Sequence, residues 1–296
     1  MRFALAVFLS FASLLANGAF SGAIVDASAV ARAIARGAIV WDVRPAEKFF
    51  DGHIPGAVNV GDVEEALFDQ KAQRFRPIEG ITKTLGGAGI DLAKPIVVYG
   101  EAGSPEPYLA QFALDYFGAR SVDVFHDGIE GWRAAKKPVS SAESKRKPVR
   151  FRPFANAAML VTTGEVIERV GRPRVQFVDV RRPGEFNGDE HETERGGHIP
   201  GAVSIPYELN LVDPDAPRKL MAKETADTSG LHLKGNAALR KLYSGLDPHK
   251  ETIVYCHTGL RAAMTAAILT RLGFRSVRLY LASWLQYGNT PEAPIE

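Results

Sequence analysis

At 296 residues the chain is longer than one average domain, and its length alone suggests about two. Its 46% hydrophobic and 24% charged residues are ordinary for a globular protein, and a net charge of +2 from interspersed basic and acidic side chains argues against a nucleic-acid partner. The single cysteine forms no internal disulfide and excludes a cysteine-based structural zinc site, so neither a metal nor a cofactor is expected.

In chain order, Met1-Arg2 is followed by an apolar run from Phe3 to Leu15 and by small and polar residues through Ala23. This order reads as a secretory signal over residues 1–23, with cleavage near Ala19 or Ala23, and the run is too short for a comfortable membrane span. An exported mature protein, periplasmic or secreted and without stable membrane insertion, is therefore expected. Next, Val40-Trp41-Asp42-Val43-Arg44-Pro45 leads to Gly52-His53-Ile54-Pro55-Gly56-Ala57-Val58. In the second half, Phe177-Val178-Asp179-Val180-Arg181-Arg182 leads to Gly197-His198-Ile199-Pro200-Gly201-Ala202-Val203. One template occurs twice.

In each half a short apolar run follows, Pro95 to Tyr99 and Thr252 to Tyr255, then a helical stretch ending at Gly118 or Gly273, then another strand-type run. Short apolar strands alternating with helices predict an α/β fold in which each half is a mainly parallel sheet with helices on both faces. The predicted layout is a first domain over residues 24–138, a linker over 139–155 and a second domain over 156–296. Ser140, Ser141 and the cluster Lys145, Arg146, Lys147, Arg150 and Arg152 mark the linker, which reads as solvated.

Cys256 stands at the strand-to-helix switch of the second half. Backbone N–H groups of the turn and the positive end of the following helix can stabilise a thiolate there, making Cys256 a candidate nucleophile; a packed core thiol is the alternative. The matching position in the first half is Gly100, and the residues after it contain no arginine matching Arg261. The first domain is thus expected to be inactive. His53 repeats His198 in the half without a thiol, so both read as fold signatures. The acidic insertion from Asn187 to Gly196 reads as a solvated loop at the cleft rim, its spacing matching no recognised hard-metal loop.

The repeated Asp-Val-Arg and Gly-His-Ile-Pro-Gly-Ala pair, with Val254-Tyr255-Cys256-His257-Thr258-Gly259-Leu260-Arg261 downstream, resembles the rhodanese (thiosulfate sulfurtransferase) family in its exported bacterial form of two tandem rhodanese-like domains. The closing Ala282-Ser283-Trp284-Leu285-Gln286-Tyr287-Gly288 is similar to the end of two-domain sulfurtransferases. The resemblance implies a persulfide on Cys256, a small anionic sulfur donor such as thiosulfate, and a cyanide or thiol acceptor. It implies an active-site loop in which N–H groups converge on the Cys256 sulfur, with His257, Thr258, Gly259, Leu260 and Arg261 around it and Asp179 and Arg181 in support.

Arg261 is expected to pair with Glu185, Gly259 to supply a positive φ or a close N–H approach, and Leu260 to pack. His257 is expected to face the entrance, where a protonated imidazole would attract an anionic donor or lower the cysteine pKa; an exposed histidine with no role is the equal alternative. Glu185 occupies the place of a substrate-binding arginine in two-domain thiosulfate and mercaptopyruvate enzymes, so their donor specificity does not carry over. Arg182 or a basic residue of the first domain would contact the donor instead. Two other readings stand beside this one. Cysteine phosphatases of related fold place one residue more between cysteine and arginine than the four found here, and a non-enzymatic sulfur-carrier or binding module would use the same scaffold.

Overall fold

The computed structural model describes residues 20–296; the expected signal falls largely on residues 1–19, outside the described residues. The first half runs α1 (Ala27–Ala35), β1 (Ile39–Asp42), α2 (Ala46–Phe50), β2 (Val58–Asn59), α3 (Val63–Leu67), the hairpin β3 (Phe68–Asp69) and β4 (Arg74–Phe75), α4 (Ile78–Gly87), β5 (Pro95–Tyr99), α5 (Glu106–Tyr116), β6 (Ser121–Phe125) and α6 (Gly128–Ala134). The second runs α7 (Thr163–Arg169), β7 (Val175–Asp179), α8 (Pro183–Asn187), β8 (Val203–Ser204), α9 (Ala216–Met221), α10 (Asn236–Leu242), β9 (Glu251–Tyr255), α11 (Leu260–Arg271), β10 (Ser276–Leu279) and α12 (Ser283–Tyr287).

Both main sheets are wholly parallel and share one strand order, β2-β1-β5-β6 and β8-β7-β9-β10. The same edge bridge extends each, Ile24 beside Val124 and Leu160 beside Leu279. The central strands are continuous apolar runs because helices cover both faces. On one face of the first sheet Val40, Val97 and Phe125 pack with Val30 of α1 and Ile129 and Trp132 of α6. The corresponding face of the second sheet carries Val166 of α7 and Trp284 and Tyr287 of α12 over Phe177 and Ile253. The remaining two faces merge into a single cluster, in which α5 lies against α11 across the domain junction. That placement explains why the central turns of both helices are buried on every side.

Two segments beside the expected boundaries bond to the first domain. The linker is strapped to the first domain: Ser140 exchanges backbone hydrogen bonds with His53 (2.8 and 2.9 Å), Val149 N–H donates to Gly86 (2.9 Å), and Phe154 and Asn156 N–H donate to Phe117 and Tyr116 (3.0 and 2.8 Å). Backbone polar groups find partners whatever the side chains do, and the Lys145 side chain still projects into water, 79% exposed.

Residues 20–23, expected from the sequence to belong to the signal, are part of the first domain's packing. Phe20 is buried with its ring 5.8 Å from that of Phe112, and Ser21 bonds the Asp115 carboxyl through both its N–H (2.8 Å) and its hydroxyl. Burial pushes that carboxyl up to about 7 against these bonds. Cleavage at Ala19 would keep this anchor; cleavage at Ala23 would remove it. Among the described residues no helix is long and apolar enough to cross a membrane.

Candidate active site

Four residues of β9, Thr252 to Tyr255, are buried, and the strand delivers Cys256 to the carboxyl end of the second sheet, where parallel sheets open their crevices. Cys256 is itself fully buried. The chain turns into α11 through Gly259 at φ 89°, and a Cβ there would stand 2.6 Å from the Leu281 carbonyl oxygen, so the turn requires glycine. The turn brings the Gly259 N–H to 3.1 Å from the Cys256 sulfur. Of the convergent N–H groups expected, this is the one within hydrogen-bonding distance among the described residues. Together with the positive end of a 12-residue helix it stabilises negative charge on the sulfur.

Residues after β10 hold the loop from behind. The Cys256 N–H donates to Ser283 Oγ (3.1 Å), Trp284 N–H donates to the Cys256 carbonyl (3.0 Å), and Leu285 N–H to that of His257 (2.9 Å). From the front, Arg261 makes a bidentate pair with Glu185, two bonds of 2.7 Å, with only 20% and 18% of the two side chains exposed. Burial opposes the charge on Arg261, yet Glu185, Cys256 and Glu208 outweigh it and raise its pKa. Burial likewise pushes the Glu185 carboxyl up, but Arg261 more than reverses this and holds it below the ordinary carboxylate range.

Asp179 and Arg181 are fully buried and bonded to each other (3.0 and 2.7 Å), and Arg181 also donates to the Gly197 carbonyl (2.7 Å) and lies 4.4 Å over the Trp284 ring. The first domain repeats this arrangement with Asp42, Arg44 and Gly52, so the pair supports the fold with or without a thiol nearby. His198 and His53 bear the same reading: each stacks on a phenylalanine, Phe186 or Phe49, and contacts its carbonyl.

His257 lines a cleft of about 430 Å³ with Arg182, Glu185, Glu190, His191, Glu192 and Arg261, so part of the acidic insertion does form the rim. Of the two readings of His257, the structure disfavours the charged one: burial lowers its pKa despite Glu192 at 3.6 Å, and the imidazole is neutral near neutral pH. The cations of this cleft are arginines, of which Arg182 is 63% exposed and 3.5 Å from Glu208.

On the other side of the loop, Thr258 lines a smaller cavity of about 110 Å³ between the domains, walled by Glu64, Phe68, Arg74 and Leu109 of the first. Leu260 packs on the shared core. Ser283 and Trp284 stood out in the sequence only as part of the closing segment, with no role assigned, and Glu208 did not stand out at all. Their importance comes from where β10 and the turn after β8 return the chain.

Similarity to known proteins agrees with this architecture. A profile of the Rhodanese-like domain matches residues 26–135 and 162–290. The thiosulfate sulfurtransferase of Corynebacterium glutamicum is 32% identical over 260 residues, 83% of this chain and 80% of that protein. The thiosulfate sulfurtransferase of Azotobacter vinelandii is 27% identical over 274 residues, 92% of this chain and 96% of that one. Among solved structures, the anaerobic ergothioneine biosynthesis enzyme from Chlorobium limicola superposes with a TM-score of 0.77 at 21% identity, over 92% of this chain and 69% of that chain, a likeness of fold. With both halves matched and the same sheet order in each, the chain belongs to the rhodanese-like family as two tandem copies of the domain.

Proposed function

We propose that the protein is a sulfurtransferase moving sulfane sulfur from thiosulfate or a similar small anionic donor to cyanide or a thiol, through a persulfide on Cys256. The observation that carries this reading is a thiol at the head of α11 with the Gly259 N–H on its sulfur and Arg261 locked to Glu185 across the loop. In the first half-reaction the thiolate attacks the outer sulfur of the donor. A bond forms between the two sulfurs, the bond from the outer sulfur to the sulfonate breaks, and sulfite leaves with the electron pair. In the second, cyanide or a thiolate attacks that same sulfur and the Cys256 thiolate departs, so ping-pong kinetics follow. Neither half needs a proton from His257. The exposed Arg182 supplies the charge that draws an anionic donor.

Relatives named thiosulfate sulfurtransferase support this reading, and four residues between Cys256 and Arg261 favour sulfur transfer over phosphate-ester hydrolysis. The charged, apolar and small-residue order of residues 1–19 supports export to the periplasm or beyond, with cleavage after Ala19. Amino-terminal sequencing of the secreted protein should start at Phe20; an uncleaved cytoplasmic chain would contradict it. For the chemistry, purified protein should convert cyanide and thiosulfate to thiocyanate, and Cys256→Ser should not. Equal rates in the two proteins would refute the assignment.

A further inference from the structure

The two domains follow the same path behind their loops but differ at one strained backbone position. After β6 the chain enters α6 at Gly128, φ 58°; after β10 it enters α12 at Ser283, φ 52°. The residue that follows donates its N–H to the nucleophile position in each case, Ile129 to the Gly100 carbonyl (3.1 Å) and Trp284 to that of Cys256 (3.0 Å). Left-handed φ is free for glycine and costly for a residue with a Cβ. The inactive domain makes the unstrained choice and the active one keeps a serine. Three other non-glycine residues have positive φ among the described residues, Gln73, Lys136 and Lys223, and none of them is buried, whereas Ser283 is fully so.

What the serine adds is a hydroxyl. Its oxygen accepts the Cys256 N–H at 3.1 Å and donates to the Tyr280 carbonyl at 2.7 Å. We propose that Ser283 is a positioning residue for Cys256, tolerated in a strained conformation because its hydroxyl fixes the peptide that carries the nucleophile. Cys256 is then held at three points: its N–H by Ser283, its carbonyl by Trp284, and its sulfur by Gly259. Loss of the first leaves a buried N–H without a partner and lets the peptide rotate, taking the sulfur away from the Gly259 N–H. Strain retained in a buried residue only where the nucleophile stands is the pattern of a functional constraint. This inference rests on the reading of Cys256 as the nucleophile.

The test compares full-length wild type with Ser283→Gly, which removes the hydroxyl and relieves the strain, and Ser283→Ala, which removes the hydroxyl and keeps the Cβ. With the hydroxyl gone, kcat for thiocyanate formation should fall roughly tenfold to a hundredfold, the scale of a misplaced reacting group. Amide hydrogen exchange at Cys256 should quicken. A purely structural serine would shift the melting temperature and leave kcat and the exchange at Cys256 where they are, which overturns the inference. Should Ser283→Gly fail to fold, Ser283→Ala provides the same test, and wild-type kcat in either folded variant overturns the inference. Cys256→Ser separates the two ideas. If it turns over like wild type, the nucleophile assignment falls; if it is inactive while Ser283→Gly is fully active, only the role of Ser283 falls.

Discussion

In the second domain Tyr255 is followed by Cys256, α11 starts one residue after Gly259, and the Gly259 N–H goes to the sulfur. In the first domain Tyr99 is followed by Gly100, α5 starts three residues after Gly103, and the Gly103 N–H donates to the His126 carbonyl (3.1 Å). One turn thus serves two ends. Where there is a thiol, the helix start moves up to it and the donor is redirected onto the sulfur. Where there is none, the same donor closes the loop on itself and the loop's surroundings join the domains. His126 donates through Nε2 to the Leu231 carbonyl (2.8 Å) while accepting at Nδ1 from the Tyr108 hydroxyl (2.9 Å), and Asp127 meets His232 at 2.7 Å. Opposite Arg261–Glu185 in the copy with the thiol, the copy without one carries Lys48 paired with Glu101.

The contrast can be broken at four places, in order of expected effect. Gly259→Ala puts a Cβ 2.6 Å from a backbone oxygen at φ 89°; strain and overpacking together should cost about 4 kcal/mol and abolish thiocyanate formation, read by thermal melts and the cyanide assay. The His126 contact makes the junction acid-sensitive. Burial pushes its pKa down to about 4, against 6.5 in the unfolded chain, so its contribution is complete above pH 6.5 and is lost as pH falls toward 4. Wild-type unfolding free energy should drop by a few kcal/mol across that window, and His126→Gln should flatten the decline.

Glu185→Gln leaves Arg261 four-fifths buried without its partner and should cost about 2 kcal/mol while slowing turnover. The wild-type pair should persist until pH falls through the depressed Glu185 pKa, below the ordinary carboxylate range, so a turnover unchanged in Glu185→Gln would remove the pair from the account. The smallest effect is expected from Gly100→Cys made in the Cys256→Ser background. The new Cβ meets Ser104 Oγ at 3.0 Å and Pro107 at 3.2 Å, a tight but adjustable fit, and the thiol gains neither an N–H on its sulfur nor an arginine. It should fold and remain inactive; recovered turnover would mean that the thiol alone, not its loop, makes the site.

Much of this was readable in the sequence because it is written in repeated side chains. Asp42-Val43-Arg44 and Asp179-Val180-Arg181 mark the same buried pair twice, and the apolar runs before Gly100 and Cys256 are the central strands of matching sheets. The Arg261–Glu185 pair, expected to tie the loop to the segment after Asp179-Val180-Arg181, is also present. Beyond the positive φ expected at Gly259, features that depend on backbone conformation or on burial were not readable. The strap of the linker uses backbone groups of Ser140, Val149 and Phe154, which have no side-chain signature. The neutral state of His257 is set by how deeply its neighbours enclose it, and Ser283 matters through a positive φ that a serine codon does not announce. Only the comparison with Gly128, once both chain paths are known, exposes it.

The central claim is that the second domain, and not the first, carries sulfur on Cys256. Intact-mass measurement after incubation with thiosulfate tests it most directly. Wild type should gain one sulfur atom, lost again on adding cyanide, and peptide mapping should place it on Cys256, while Cys256→Ser should gain nothing. No gain by wild type from any sulfur donor, or an equal gain by Cys256→Ser, would contradict the account.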